Sequence, residues 1–148
     1  MSRVTPTFTD LVRVETRLYN AATARLRTEQ GTGLGHIEFL EIINRIPACR
    51  VLDIVNEVAI TVGAVSKAVD RLAAAGWCTR EPHPQDRRSS VLRLTPEGKK
   101  TLAAARPIVE DELAALTATL SDDDLTRLAE ILASLRATLE AGSYGQPG

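Results

Sequence analysis

The sequence predicts a mainly α-helical fold with one small β-hairpin. Apolar residues recur at spacings of three and four along most of the 148 residues, which is the pattern of amphipathic helices. The segment after Gly76 departs from this pattern, with two extended runs around a proline-containing tip. The composition, 44% hydrophobic and 25% charged, is that of a globular domain and excludes a disordered or fibrous chain. No apolar run has the length of a membrane-spanning helix and no secretory signal begins the chain, so we expect a cytoplasmic protein without a membrane partner.

The first three helices are predicted over residues 8–29, 36–45 and 50–59. The long first helix carries one apolar stripe, formed by Leu11, Val14, Leu18, Ala22 and Leu26. Glycines at positions 31, 33 and 35 mark the loop that follows, and the second helix ends before Pro47. The third helix has no Ser, Thr, Asp or Asn at its start, so its boundary is the least defined.

A fourth helix and the hairpin follow. Thr61 is suited to cap a helix that runs through Ala75 and ends at Gly76. Its apolar residues Val65, Val69 and Leu72 share one face, and Ser66, Lys67, Asp70 and Arg71 share the other. Residues 77–81 and 89–94 are expected to be the two strands. Alternation places Leu92 and Leu94 on one strand face, with Val91 and Arg93 on the other.

Two further helices complete the predicted fold. Thr95, Pro96 and Glu97 supply a cap, a first helical residue and a first-turn acid for a helix that runs toward Leu120, kinked at Pro107. Ser121 caps the last helix. Its leucines recur at spacings of three and four and form a coiled-coil-like seam: Leu125, Leu128, Leu132, Leu135 and Leu139. Residues 142–148 are expected to be a disordered tail.

The order of three helices and two strands within residues 36–94 is that of a winged helix-turn-helix. In this fold the second helix of the pair, here 61–75, lies in the major groove of DNA. The helix suits that position, since small residues at its start allow close approach and others can donate hydrogen bonds or contact a thymine methyl. The residues concerned are Thr61, Val62, Gly63, Ala64, Ser66, Lys67 and Arg71. Taken alone, the same pattern is more often a solvated helix surface.

Three motifs add a more specific signal. Asp70-Arg71-Leu72 with Gly76 ends the fourth helix, Asp86-Arg87-Arg88 lies at the hairpin, and Leu94-Thr95-Pro96-Glu97-Gly98 opens the next helix. Together they closely resemble the MarR family of bacterial transcription regulators, whose six-helix order the flanking helices complete. The chain departs from the family pattern at Ile54-Val55, where a Leu-Ala pair is usual, and at Ala59, where Gly is frequent.

The resemblance assigns roles to the wing. Arg88 matches the family's minor-groove arginine, and Asp86 matches the acid that pairs with it; such pairing would orient the arginine before it meets DNA. Arg80, Arg87 and Ser89 are candidates for phosphate contacts, which position a protein without reading sequence. An alternative, compatible with DNA contact, is that Asp86 and Arg88 only hold the hairpin together.

The resemblance also implies a homodimer formed by the terminal helices. The apolar stripes of 8–29 and 121–141 exceed what one small winged domain can cover. We therefore expect Leu11, Val14 and Leu18 and the leucine seam at a two-fold interface, and a pseudo-palindromic DNA site. The expected division is 1–35 for the first dimerisation helix and its loop, 36–98 for DNA binding, 99–141 for the remaining dimerisation helices and 142–148 for the tail.

The distribution of charge supports this division. The net charge is −1, which for a DNA-binding protein is unexpectedly low. Residues 1–44 hold five Arg and five acids, 45–100 hold ten Lys or Arg and six acids, and 101–148 hold three Arg and eight acids. The net charges are thus 0, +4 and −5, and the basic segment is the one that would face phosphate.

Other functions find little support in the sequence. Cys49 and Cys78 are too few for a disulfide scaffold and are expected to be buried thiols, and the His and Cys residues lack zinc-ligand spacing. No phosphate loop, nucleophile elbow or metalloprotease motif occurs, so we expect no cofactor, metal or catalysis. MarR relatives commonly release DNA on binding a small aromatic or anionic molecule. His36, Arg13, Arg17 and Tyr19 are candidates to line such a site, although solvated surface is the commoner role for each.

Two hypotheses of function follow. The first is a homodimeric, sequence-specific DNA-binding regulator, expected to be a repressor that responds to a small molecule. The alternative is a winged-helix dimer that acts as a protein-interaction adaptor without reading DNA. The Asp86-Arg87-Arg88 motif favours the first, because an adaptor has no use for it.

Overall fold

The computed structural model describes residues 2–147, which form six helices and one antiparallel hairpin. Met1 and Gly148, which belong to the predicted first segment and tail, lie outside the described residues. In chain order the elements are α1 Val4–Gln30, α2 Leu34–Arg45, α3 Val51–Val58, α4 Val62–Ala74, β1 Cys78–His83, β2 Asp86–Leu94, α5 Pro96–Leu116 and α6 Asp122–Ala141. The mainly α-helical class with a hairpin wing is confirmed.

The ends of the first and third helices differ from the predicted bounds for local reasons. α1 begins at Val4 rather than near residue 8, because Pro6 lies in the first turn, where a missing N–H costs no helical hydrogen bond. α3 begins after Arg50, whose main-chain N–H donates to the Asp53 carboxylate at 2.8 Å. The carboxylate of the third helical residue thus accepts from a main-chain N–H at the start of α3, where no conventional capping residue is present. Ala59 ends α3 with φ 53° and ψ 43°, in the left-handed region.

One apolar core joins the three-helix unit to the hairpin and α5. Its fully buried side chains are contributed by α1, α2, α3, α4, β2 and α5: Leu26, Leu40, Ile54, Val65, Val69, Leu72, Leu92 and Leu102. The Leu92 N–H donates to the Cys49 carbonyl at 2.7 Å, which attaches β2 to the loop before α3. Val91 is also buried but lies outside this core cluster, which is consistent with the prediction that Val91 and Leu92 are on opposite faces of the strand. Both faces of β2 are therefore buried at Val91 and Leu92.

The hairpin joins α5 through a close backbone contact at Gly98. The Thr95 hydroxyl accepts from the Gly98 N–H at 3.0 Å, and the Thr95 N–H donates to the Trp77 carbonyl at 3.0 Å. A Cβ at Gly98 would lie 1.9 Å from that same Trp77 oxygen. The Thr-Pro-Glu-Gly sequence therefore fixes α5 against the start of β1, and a larger residue at position 98 is excluded without backbone movement.

The C-terminal helix packs differently from the others. α5 ends at Leu116 rather than near Leu120, and Ser121 caps α6 by accepting from the Asp124 N–H at 3.1 Å. α6 has no buried residue within the single chain. Residues 142–145 form turns in which the Tyr144 N–H donates to the Leu139 carbonyl at 3.0 Å; that the tail is disordered stays a prediction. No helix within residues 2–147 is both long enough and apolar enough to cross a membrane.

Candidate nucleic-acid interface

The start of α4 is exposed and its backbone is capped. Thr61 accepts a hydrogen bond from the Ala64 N–H at 3.2 Å, and the side chains of residues 61–64 are all solvent-exposed. Farther along, Lys67 and Arg71 are exposed and Ser66 is half-buried, while the opposite face of the helix is in the core. The structure therefore presents to solvent most of the helix face that the sequence assigns to DNA.

Arg80 joins the wing to α4. Its guanidinium donates to the Asp70 carboxylate at 2.8 Å and to the Ser66 carbonyl at 3.3 Å. Sequence reasoning treated Arg80 as a phosphate contact and Asp70 as part of a motif, without predicting that they pair. The pair connects β1 to the outer face of α4 and so sets the wing root against the helix.

The wing contains a bulge at the predicted arginines. Pairing runs regularly from Cys78 opposite Leu94 to Pro82 opposite Ser90, and then shifts so that His83 lies opposite Asp86. Pro82 has no N–H to continue the ladder, so the shift falls at a residue that cannot maintain it. Residues 87–89 are left unpaired between the two registers, and a bulge of this kind redirects side chains out of the sheet.

The Asp86 carboxylate contacts the backbone rather than a guanidinium. It accepts from the Arg88 main-chain N–H at 3.0 Å, the two-residue turn that aspartate commonly forms. Within residues 2–147, no carboxylate lies within ion-pair distance of Arg87 or Arg88. The expected Asp86–Arg88 side-chain pair is therefore absent from the structure, and the Asp86 carboxylate bonds the backbone of the bulge instead.

A groove of about 430 Å³ lies between the start of α3, the start of α4 and the wing. It gathers six of the residues that the sequence assigned to DNA binding: Val62, Ser66, Arg80, Asp86, Arg88 and Ser89. Arg50 also lines it and was missed by sequence reasoning, since position 50 was considered only as a weak helix start. Three arginines and one aspartate thus share a groove whose edge is an exposed helix N-terminus, an arrangement that attracts phosphate.

The predicted dimer residues are largely uncovered within one chain. Leu11 and Val14 are exposed and Leu18 is half-buried. The five leucines of the α6 seam are each 39–48% exposed. Leu135 and the first turns of α1 line an apolar groove of about 360 Å³. One residue of each stripe, Leu11 and Leu135, therefore lines the same groove, and both remain exposed there.

The cysteines are buried and their thiols resist ionisation. Burial raises the pKa of Cys49 to about 11 and, in the same direction, the pKa of Cys78. Each sulfur lies near a backbone carbonyl, that of Arg50 for Cys49 and that of Val69 for Cys78. Across residues 2–147, no group of three or more His, Cys, Asp or Glu side chains is placed to hold a metal ion.

The candidates for an effector site, His36, Arg13, Arg17 and Tyr19, do not line the cavity between α2 and α5 that is described below. Arg13 and Arg17 are exposed, and His36 is half-buried beside the Thr32 hydroxyl, 3.2 Å from its Nδ1. Burial and the nearby charges of Arg71 and Arg27 lower the pKa of His36. A cavity of about 640 Å³ lies elsewhere, between α2 and α5, with an apolar floor and a rim of Glu38, Glu41, Glu110 and Arg106.

Comparisons with known proteins agree with this geometry. The model of the MarR family matches residues 34–90. The HTH-type transcriptional regulator BilQ of Clostridium symbiosum is 26% identical over 113 residues, which are 76% of this chain and 78% of that protein. A MarR family transcriptional regulator from Streptomyces coelicolor, solved in complex with DNA, is similar at a TM-score of 0.81 and 25% identity, over 91% of this chain and 86% of that one. The transcriptional repressor CouR, bound to a 23-mer DNA duplex, is similar at 0.79 and 26% identity, over 86% and 89% of the two chains.

The matched segment contains the parts that form the groove. It includes α2, α3, α4 and β1, and it extends into β2 as far as Ser90, beyond the bulged arginines. The similar structures extend over the flanking helices as well. Residues 34–90 of this chain are thus similar to the MarR family, and the chain as a whole has the winged helix-turn-helix fold of the MarR-family regulators that it resembles.

Proposed function

We propose that this protein is a sequence-specific double-stranded DNA-binding transcription regulator and acts as a homodimer. The observation that carries the proposal is the groove in which the exposed start of α4 and the bulged Arg88 lie side by side. Two similar structures are described as bound to DNA, one of them a transcriptional repressor, which supports repression as the direction of control. A protein of this kind acts in the cytoplasm, on the nucleoid, and performs no catalysis.

The groove suggests how the two DNA grooves would be used. Residues 61–64, small and exposed at the α4 N-terminus, approach base edges in the major groove, with Lys67 and Arg71 beside them. The wing places Arg88 at the adjacent minor groove, where the potential is most negative and a guanidinium is favoured. Arg87 and Ser89, also in the bulge, contact phosphates and hold the register without reading bases.

The exposed apolar stripes support the homodimer. α6 has no buried residue in one chain, although its leucines follow a regular seam. An amphipathic helix is stable in water chiefly when its apolar face is covered, and a second copy offers the matching stripe of α1 and α6. A two-fold dimer presents two copies of α4, so we propose a pseudo-palindromic operator with half-sites about one helical turn, roughly 34–36 Å, apart.

The test is selection of bound fragments from the genome that encodes the chain, followed by binding titrations at two salt concentrations. We expect one or a few fragments with a pseudo-palindrome, and affinity that falls steeply with salt because several phosphates are neutralised. Arg88→Ala should weaken this binding, whereas Arg136→Ala on α6, which removes the same charge from a residue that does not line the groove, should not. Absence of any bound fragment would favour the adaptor alternative.

The cavity between α2 and α5 is the place where we propose that an effector binds. Arg106 is engaged by Glu41 through two contacts of 2.6 and 2.8 Å, so the rim leaves Glu38 and Glu110 without a cationic partner among the described residues. Burial and the charge of Glu15 raise the pKa of Glu38. Of the small aromatic or anionic molecules that the family resemblance suggested, such a rim disfavours the anionic ones, and it favours an apolar molecule carrying an amine. Thermal shifts with aromatic amines and matched aromatic carboxylates distinguish the two classes.

A further inference from the structure

We infer that Arg50, at the start of the first helix of the helix-turn-helix pair, positions the wing through His83 and so places Arg88 for DNA. The inference rests on the proposed function, since Arg88 matters only if the wing meets DNA. Neither residue carries a family motif, and neither was a candidate from the sequence.

The Arg50 side chain is directed away from its own helix. Its main-chain N–H is satisfied by the Asp53 carboxylate at 2.8 Å, and its guanidinium lines the groove beside the wing. A guanidinium nitrogen is in hydrogen-bond contact with Nε2 of His83, 33 residues away in the chain. No carboxylate within residues 2–147 forms an ion pair with Arg50, so this contact is what holds its side chain.

His83 occupies the point at which the wing changes register. It is the last residue of β1, and among residues 79–85 it alone is half-buried. Its Nδ1 lies 3.1 Å from the main-chain N–H of Gln85, at the tip. A neutral imidazole offers one lone pair, which its two tautomers present alternately to Arg50 and to the tip. The Arg50 contact joins the end of the hairpin to the start of α3, whereas the Gln85 contact lies within the tip and is made by the other tautomer.

His83 is connected to the bulge through the residue opposite it in the hairpin. His83 lies opposite Asp86 in the shifted register, and the Asp86 carboxylate accepts from the Arg88 N–H at 3.0 Å. At the root of the wing, Arg80 contacts Asp70 on α4. The hairpin is thus attached at its root to one helix of the pair and near its tip to the other. A hairpin held at two points keeps Arg88 near its bound position, which reduces the conformational entropy lost on binding DNA.

Three variants test the attachment at the tip. His83→Leu removes the acceptor, and His83→Gln keeps an amide oxygen that can accept from Arg50. Arg50→Gln removes the guanidinium that donates to His83. On the selected operator we expect His83→Leu to lower affinity about 5-fold, the scale of ordering one long side chain, and His83→Gln to stay within about 2-fold of the unmodified protein. In the Arg50→Gln background, His83→Leu should add less than about 2-fold, because the contact is already lost.

A second readout needs no DNA. Amide hydrogen exchange of residues 85–90 should be faster in His83→Leu and Arg50→Gln than in the unmodified protein and close to the unmodified protein in His83→Gln, while exchange in α4 is unchanged. Equal loss of affinity in His83→Leu and His83→Gln, fully additive effects of the two positions, or identical exchange in all variants would overturn the inference. If the exchange pattern holds but the unmodified protein binds no genomic fragment, the attachment stands and the proposed function fails.

Discussion

Ala59→Gly is predicted to stabilise the protein, because Ala59 occupies a backbone conformation that suits glycine. Its φ of 53° and ψ of 43° lie in the left-handed region, where a Cβ meets the following carbonyl oxygen at a cost of about 1–2 kcal/mol. The Ala59 side chain is exposed, so its removal opens no cavity. Glycine adds freedom to the unfolded chain, which offsets about 0.4–1 kcal/mol of that gain. The net expectation is a rise of about 0.5–1 kcal/mol in the free energy of unfolding.

The assay is equilibrium unfolding in urea at one fixed protein concentration, because a dimer's stability depends on concentration. Ala48→Gly, at a φ of 50°, should shift stability in the same direction. Ala103→Gly, exposed in the interior of α5, is the matched control and should lose about 1 kcal/mol. A destabilised Ala59→Gly, comparable to Ala103→Gly, would refute the reasoning. The Ala59 N–H donates to the Val55 carbonyl at 2.9 Å, and glycine keeps this backbone donor. Because the end of α3 is then unchanged, operator affinity should change by less than about 2-fold.

Four further outcomes are expected. Arg88→Ala should lower operator affinity by about 1–3 kcal/mol, measured by anisotropy, and unchanged affinity would move the specificity to α4. Lys67→Ala should weaken binding on every sequence and reduce the salt slope by about 0.9 without changing urea stability; a protein that instead unfolds would mean that Lys67 is on the packed face. Gly98→Ala should cost about 2–4 kcal/mol in urea, since its Cβ would lie 1.9 Å from the Trp77 oxygen, and a neutral effect would show that this backbone yields easily. Cys49, with its pKa raised to about 11, should alkylate slowly at pH 7.5, and rapid labelling of folded protein would contradict its burial.

The helices could be predicted from the sequence because their signals are local. Thr61, Thr95 and Ser121 each cap the helix for which they were proposed, and Val65 and Val69 face the core as their spacing indicates. A capping oxygen and an apolar period depend on residues within one turn of each other. Such signals survive in any tertiary context that keeps the helix.

The details of the groove depend on distant residues and could not be predicted. The Arg80 contact with Asp70 joins residues 10 positions apart on two different elements, and the Arg50 contact with His83 joins residues 33 positions apart. The resemblance suggested that Asp86 pairs with the Arg88 side chain, but the register shift at Pro82 gives its carboxylate a backbone partner. A motif indicates which residues lie together, whereas the atoms that meet depend on register.

Distribution of charge proved more informative than its sum. The basic segment 45–100 contains the three arginines of the groove, and the acidic segment 101–148 contains α6 and most of α5. In the proposed dimer the acidic helices lie away from the phosphates, where negative charge does not oppose binding. A net charge of −1 is therefore compatible with an electrostatic attraction to DNA.

The central claim, that two copies of this chain read DNA with α4 and the wing, is tested most directly by hydroxyl-radical footprinting on a selected genomic fragment. The account predicts two protected half-sites about one helical turn apart, with minor-groove protection beside each that is lost in Arg88→Ala. A fragment set without any protected site, or a single protected half-site that is unchanged in Arg88→Ala, would contradict it.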